Sequence, residues 1–258
     1  MKVFGVVASP RKGNTYDLCT RFVKALSRYV SVDVELRLLN EFRIEGCRGC
    51  TKCIYEGRCS IDDDLNAVIE RMKQADLVIL ASPVYVCSVS YLMKLLMDRT
   101  GWANHYPPLV GKKCVVVATT AASCLSPVLK ALRSYAVSLG MTCLAEVGSA
   151  YVDGKPVNER KLGELLDDVA KYVARVLKGL ARPRVKVEDV VLFNSMKYRA
   201  MYAKQWNPKE FEYWRRNGLL ERRYYDPNAV VPTVVRLRAF AKSLLAAREY
   251  MQQIVVRK

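Results

Sequence analysis

The sequence predicts an α/β protein: a doubly wound parallel sheet of five strands with helices on both faces, followed by a helical extension. Three observations predict it. Short apolar runs recur, the mark of strands covered on both faces. Segments with apolar residues at helical spacing lie between them. The two signals alternate through the first 180 residues, which favours parallel strands joined by crossover helices.

Val3–Ala8 is the first apolar run, and Tyr16–Tyr29 follows with Leu18, Phe22 and Leu26 on one helical face. Val32–Leu39 alternates, placing Val32, Val34, Leu36 and Leu38 together as a second strand. After a cysteine-rich loop, Leu65–Gln74 is a short helix with Leu65, Val68, Ile69 and Met72 inward. Leu77–Ala81 is the third strand, Ser90–Trp102 a helix, Lys113–Thr119 the fourth strand and Pro127–Leu139 a helix stopped by Gly140. Met141–Tyr151 and Glu159–Leu180 complete the set as strand and helix. Ala181–Pro183 breaks the pattern, so residues 1–180 are expected as one domain and 183–258 as a basic helical extension. In the extension Leu237, Phe240, Ala241, Leu244, Leu245, Met251, Ile254 and Val255 form an apolar stripe on a last helix.

Val3–Ala8 is too short for a signal core, and the long uncharged stretch Cys114–Leu129 is broken by Pro127 and falls short of a membrane span. A cytoplasmic protein without membrane association is expected. The net charge of +17 suits nucleic acid or anionic ligands. No zinc-finger spacing, RNP-like strand or block of Arg and Lys supports nucleic acid as the main partner. The excess is densest in the extension, where 16 Lys and Arg face 7 Asp and Glu.

In parallel sheets ligands sit beyond the carboxyl ends of the strands. The first such loop is Ser9-Pro10-Arg11-Lys12-Gly13-Asn14-Thr15. Ser9, Asn14 and Thr15 offer side-chain donors, Arg11 a charge-assisted bond, Gly13 close backbone approach, and the following helix its free amides. This chemistry fits a phosphate monoester. An ATP-type loop would need Gly-Lys-Ser/Thr and a dinucleotide fold Gly-x-Gly-x-x-Gly, and neither is present. An ordinary polar loop with Thr15 as helix cap is the competing reading. At the third strand's end stands Ser82-Pro83-Val84-Tyr85, followed by Leu92, Lys94, Asp98 and Arg99. Tyr85 could equally be a surface aromatic, and Asp98 and Arg99 a solvated pair.

Nine cysteines point to metal or redox chemistry. Cys47-x2-Cys50-x2-Cys53-x5-Cys59 can wrap one [4Fe-4S] cluster, with turns from Gly46, Gly49 and Gly57 and charge from Arg48, Lys52 and Arg58. A zinc knot, local disulfides and free thiols in a decayed loop stay open. Cys19, Cys87, Cys114, Cys124 and Cys143, scattered among apolar neighbours, are expected as buried small hydrophobes. Asp62–Asp64 are expected to complement the dipole of the next helix. His105, the sole histidine, is expected to be structural.

Ala8–Thr15 resembles the FMN-phosphate loop of the NAD(P)H-dependent FMN reductase family, of flavodoxin-like fold. The resemblance implies that Ser9, Arg11, Gly13, Asn14 and Thr15 surround the FMN phosphate. It implies that Pro83, Val84, Tyr85, Val86, Cys87 and Ser88 face the flavin edge, and that Thr119, Thr120 and Ala121, in place of a glycine-rich turn, meet the ring. With the cysteine loop behind the second strand, the chain resembles the iron–sulfur flavoprotein branch of that family. That likeness implies a homodimer or homotetramer, NAD(P)H as donor, and a redox protein or small molecule as acceptor. The chemistry is centred on the flavin and requires no side-chain acid or base. Alternatives are an NAD(P)H-dependent FMN or quinone reductase without a functional cluster, and a basic redox-sensing nucleic-acid binder. The aromatics Phe211, Tyr213, Trp214, Tyr224 and Tyr225 are expected to pack onto the body or a second subunit rather than to lid the flavin.

Overall fold

The computed structural model describes the backbone of residues 1–252 and the side chains of residues 1–242. Strand β1 (Lys2–Val7) leads into α1 (Asn14–Ser27), then β2 (Asp33–Leu38). The cysteine segment follows, with one short helix, α2 (Lys52–Glu56), before α3 (Leu65–Gln74) and β3 (Leu77–Tyr85). A two-residue strand β4 (Ser88–Val89) precedes α4 (Tyr91–Arg99), β5 (Lys113–Thr120), α5 (Leu125–Ser138) and β6 (Thr142–Val152). Another two-residue strand, β7 (Lys155–Pro156), leads to α6 (Glu159–Leu177). Beyond it come α7 (Val187–Tyr202), α8 (Pro208–Arg216) and α9 (Thr233–Gln252).

The sheet order is β2-β1-β3-β5-β6-β7. Its first five strands are mutually parallel, the flavodoxin-like order in which the chain reverses direction across the sheet at β1 and β3. The sheet has seven strands rather than the expected five, because β4 pairs antiparallel with β3 and β7 with β6. Two residues carry no periodic signal, so neither strand is visible in the apolar pattern. β3 runs four residues beyond its expected end and carries Ser82–Tyr85 into the loop region.

Alternate residues of each strand serve opposite faces, which explains the unbroken apolar runs. Phe4, Val6, Val78, Leu80, Val116 and Ala118 meet α3, α4 and α5. Val3, Val7, Ile79, Ala81, Val115 and Val117 meet α1 and α6. β2, at the edge, is only partly buried except at Leu38. Gly140 ends the α5 turn with φ +92, and a Cβ there would stand 2.9 Å from the Val110 amide nitrogen.

A third core joins the extension to the body. Phe193, Trp214, Tyr224 and Tyr225 are buried together and reach Val137 of α5. Phe193 and Tyr225 meet edge to face with ring centroids 4.8 Å apart. These aromatics are packing residues, as one of the two expectations had it. The stripe on α9 behaves otherwise: Leu237, Phe240 and Ala241 are exposed, while Ala239 is buried. The helix packs Ala239 and, in part, Val235 onto the core that includes α7 and turns Leu237, Phe240 and Ala241 outward. Leu244, Leu245, Met251, Ile254 and Val255 lie outside the described side chains. Among the described residues no helix is long and apolar enough to cross a membrane.

Candidate flavin seat and cysteine loop

The loops after β1, β3 and β5 meet at one edge of the sheet, and side chains tie them pairwise. Ser90 caps α4, its Oγ accepting from the Met93 amide at 3.2 Å. The same hydroxyl donates to the Ala8 carbonyl at 2.5 Å, joining the second loop to the first. Ser82 Oγ accepts from the Ser90 amide at 2.9 Å and donates to the Pro83 carbonyl. Thr15 Oγ1 and Thr119 Oγ1 lie 2.6 Å apart in a buried hydrogen bond between the first and third loops. Cys87 and Cys124 form a disulfide between the second and third loops, Cα–Cα 4.9 Å.

Inside this ring of ties α1 begins without a side-chain cap at Gly13. Its first-turn amides therefore stay available, with the dipole's positive end behind them. Ser9 is buried and its hydroxyl donates to the Arg11 carbonyl at 2.8 Å, which folds the loop back on itself. Asn40 Nδ2 holds the Pro10 carbonyl at 3.0 Å. Arg11 and Lys12 are exposed, and among the described residues neither makes an ion pair. Asn14 and Thr15 occupy the first turn of α1. The arrangement can accept a phosphate monoester through amides and one guanidinium; the Ser9 and Thr15 hydroxyls are buried and engaged with the Arg11 carbonyl and Thr119 instead.

The other expected seat residues are gathered but unequal. Pro83 is buried and Val84 half-buried, whereas Tyr85, Val86, Cys87 and Ser88 are exposed. Val86 and Cys87 form the two-residue turn of the β3–β4 hairpin, both with positive φ (49° and 56°). Thr119 spends its hydroxyl on Thr15 and Thr120 on its own loop, donating to the Ser123 carbonyl at 2.7 Å and accepting from the Ala122 amide. Of these three only Ala121 is exposed, at the loop's tip with Ala122 and Ser123. Cys87 and Cys124 are not buried hydrophobes as expected, because each sits in a loop outside the core; Cys19, Cys114 and Cys143 are buried.

The cysteine segment lies between β2 and α3, on the core that α3 and α4 share. Cys53 and Cys59 are half-buried against that core, and Cys47 and Cys50 are exposed; all four are free thiols. Burial pushes the Cys53 thiol up, and the neighbouring sulfurs of Cys59, Cys50 and Cys47 add to it. Among the described residues no three His, Cys, Asp or Glu side chains already close into a ligating group.

Beneath the segment lies an ion pair that the sequence reading placed elsewhere. Arg99 is not a solvated partner of Asp98, which pairs with Lys94. Its side chain is fully buried against a fully buried Asp63, at 2.6 and 3.2 Å. Arg99 also donates to the Glu45 carbonyl at 2.6 Å, while Asp63 accepts from the amides of Glu45 at 2.9 Å and Leu65 at 3.1 Å. Asp63 thus does more than complement a helix dipole. Burial would raise its carboxyl, but Arg99 and the two amides outweigh burial and hold it below the usual range. Burial would likewise lower Arg99; bonding to Asp63 outweighs it, the nearby Cys59 sulfur adding to the upward shift. Arg99 Nε is buried and finds no partner of its own.

The extension reaches the same segment from behind. Asn207 is buried, its Nδ2 donating to the Ile54 carbonyl at 2.8 Å and its Oδ1 accepting from Tyr106 at 3.1 Å. His105 Nδ1 pairs with buried Glu210 at 2.7 Å, which Arg199 also holds, so the histidine is structural as expected. Gly57, with φ +72, brings the segment within 3.2 Å of the Tyr106 ring, measured from where a Cβ would stand. Serine and asparagine at helix N-caps were the available signals for Ser90 and Asn207; nothing local signals their second partners.

An iron-sulfur flavoprotein of Methanocaldococcus jannaschii is 41% identical over 101 residues, 39% of this chain and 52% of that protein. An iron-sulfur flavoprotein of Archaeoglobus fulgidus is 36% identical over 113 residues, 43% of this chain and 51% of that protein. The chain thus spans about half the length of the curated relatives it matches. A solved flavone reductase superposes with TM-score 0.55 at 14% identity, covering 69% of this chain and 63% of its own, a likeness of fold. The NADPH-dependent FMN reductase family matches residues 1–152, and the chain belongs to that family.

Proposed function

We propose that this chain is an oxidoreductase that seats FMN among the three tied loops and holds one [4Fe-4S] cluster on Cys47, Cys50, Cys53 and Cys59. The flavin supplies hydride and single-electron chemistry, and the cluster single-electron transfer. NAD(P)H is the proposed donor, and a redox protein or small molecule the acceptor.

The protein's own residues supply position and charge. The uncapped amides of α1, with the Asn14 amide group and the Arg11 guanidinium, bind the phosphate, while Ser9 and Thr15, through the Arg11 carbonyl and Thr119, hold the loop in shape. Gly13 leaves that approach open, a Cβ there meeting only the Arg11 side chain at 3.6 Å. The backbone of Pro83–Ser88 and the small residues from Thr119 to Ala121 flank the ring. The ties through Thr15, Ser90 and Cys87 keep the loops at fixed spacing, which reduces the ordering cost of binding. Homo-oligomerisation would bring flavin and cluster of different subunits together.

One observation carries the cluster: the buried Arg99 guanidinium, bonded to the Glu45 carbonyl just before the cysteine segment, keeps an unpartnered Nε. A thiolate or cluster sulfur would satisfy that donor, whereas a neutral thiol accepts weakly. The four donors are soft thiolates on one short segment, which suits iron–sulfur ligation. Their convergence requires a closing movement of the segment around Gly49 and Gly57. The alternative, an FMN or quinone reductase without a cluster, draws support from the thiols not being gathered into a ligating set. The visible spectrum of anaerobically prepared protein, before and after NADH or NADPH, separates the two. Flavin bands over a broad shoulder that bleaches on reduction support the proposal; flavin bands alone support the alternative.

A further inference from the structure

We infer that Cys87 and Cys124 form a thiol–disulfide exchange centre that a dithiol opens and a disulfide closes, being reduced to two thiols as it does so, and that its closed form holds the flavin seat together. The gating half of this inference rests on the flavin reading given above; the exchange half does not.

Four observations place the bond among reactive rather than structural disulfides. It joins two loops at the sheet's edge, its ends 37 positions apart, through residues that lie outside the core. Cys87 is exposed and Cys124 half-buried, so a thiolate can approach. Val86, Cys87 and Cys124 all have positive φ, between 49° and 62°. That region disfavours side chains with a Cβ, a β-branched valine most of all. Val86 and Cys87 hold that region as the hairpin turn and Cys124 as the N-cap residue of α5, so the crosslink is built on three strained residues. Exposed or strained disulfides are the labile and regulatory ones.

The fourth observation sets the direction of attack. Cys124 is the N-cap residue of the 14-residue helix α5, and no side chain caps that helix. A thiolate there faces free amides and the positive dipole end, which lower a thiol's pKa. Its hydroxyl neighbour Ser123 also points to it, Oγ to Sγ 3.7 Å. Cys124 is therefore the better leaving group, and exposed Cys87 the sulfur to be attacked. One thiolate of the dithiol forms a bond to Cys87 Sγ as the Sγ–Sγ bond breaks and its electron pair leaves on Cys124. The dithiol's second thiolate then attacks its own sulfur in the mixed disulfide and expels Cys87 as thiolate. The two protein thiolates take up two protons. The dithiol is oxidised by two electrons and the protein pair reduced by two.

The consequence for the seat follows from geometry. The second and third loops flank the proposed ring site from β3 and β5, and the Cys87–Cys124 bond is the tie between them. Its opening frees the Val86–Cys87 hairpin tip from the Ser123–Cys124 turn.

The test uses the whole chain under anaerobic conditions. Protein is equilibrated with graded dithiothreitol in its oxidised and reduced forms, quenched with N-ethylmaleimide without denaturant, and mapped at peptide level. Expected is labelling of Cys87 and Cys124 in step with the reducing fraction, while Cys19, Cys114 and Cys143 stay unlabelled. In Cys87→Ser, the Cys124 thiol should react with iodoacetamide at a lower pH than an ordinary thiol. A bond that opens only after denaturation, or thiols that stay free under oxidised dithiothreitol, overturns the exchange centre. FMN titration by flavin fluorescence should give severalfold tighter binding to the oxidised than to the reduced protein, and to wild type than to Cys87→Ser. Equal affinity overturns the gating. Failure of FMN to bind either form counts against the flavin reading, while the labelling still decides the exchange centre.

Discussion

Replacing Arg99 by methionine should destabilise the protein far more than a surface arginine would. The guanidinium makes two bonds to Asp63 and one to the Glu45 carbonyl, and both charged side chains are fully shielded from water. Arg99→Met leaves the Asp63 carboxylate buried with only the amides of Glu45 and Leu65. Stranding one member of a buried pair costs about 3–5 kcal/mol, or roughly 6–20 °C in Tm for a chain of this size. Asp63→Asn strands the guanidinium and should fall in the same range. The double variant removes both charges, so its loss should be smaller than the sum of the singles, with a coupling of about 1–3 kcal/mol. Thermal unfolding followed by circular dichroism measures all three. Single losses within about 0.5 kcal/mol of wild type, or strict additivity, would refute the reasoning. A pH series adds an independent check. The Asp63 carboxyl is depressed in the folded state, so its stabilisation is complete above its unfolded pKa of about 4 and is lost as pH falls through the lower folded value. Asp63→Asn should show a shallower acid loss than wild type.

Arg11→Ala should weaken FMN binding by about 10- to 100-fold, the worth of one charge-assisted bond, and leave riboflavin binding unchanged; an equal loss for riboflavin would place Arg11 away from the phosphate. Thr119→Val strands the buried Thr15 hydroxyl at a cost of about 1–3 kcal/mol, read as a lower Tm together with weaker FMN retention; no change in either would show that the two loops are held by other contacts. Asn207→Leu cuts the bond from the extension to the Ile54 carbonyl. Amide hydrogen exchange should quicken across residues 47–59 and stay constant in β1, β3 and β5; an unchanged cysteine segment would show that the extension does not brace it.

The parallel sheet was legible because it is written in apolarity. Val3–Val7 and Cys114–Ala118 are covered on both sides, so each strand appears as an uninterrupted run. The helix over Leu65–Gln74 shows its inward face directly, and the structure places it at those residues. Short hairpin strands are not legible, because two paired residues such as Ser88 and Val89 impose no pattern. The phosphate-type loop was legible through the order strand, polar loop, helix. Its ties were not: Thr15 meets Thr119 across 104 residues and Ser90 meets Ala8 across 82, and such partners emerge only from the sheet order. Arg99 misled for a similar reason. On its own helix it neighbours Asp98, and only the fold brings Asp63 beneath it. Cys87 and Cys124 stand among small and apolar residues, which suggests burial, yet both lie past the ends of strands. The outward face of α9 at Leu237 and Phe240 is set by the choice of Ala239 for the tight approach to α7.

The two proposed cofactors can be counted. Iron, acid-labile sulfide and FMN should be determined per chain on protein produced and purified without oxygen. The account predicts about four iron and four sulfide, as a [4Fe-4S] cluster requires, with FMN present. Iron should vanish on replacing Cys47, Cys50, Cys53 and Cys59 by alanine while FMN stays. Anaerobic protein that retains FMN but carries zinc, or no metal, on those four thiols would contradict it.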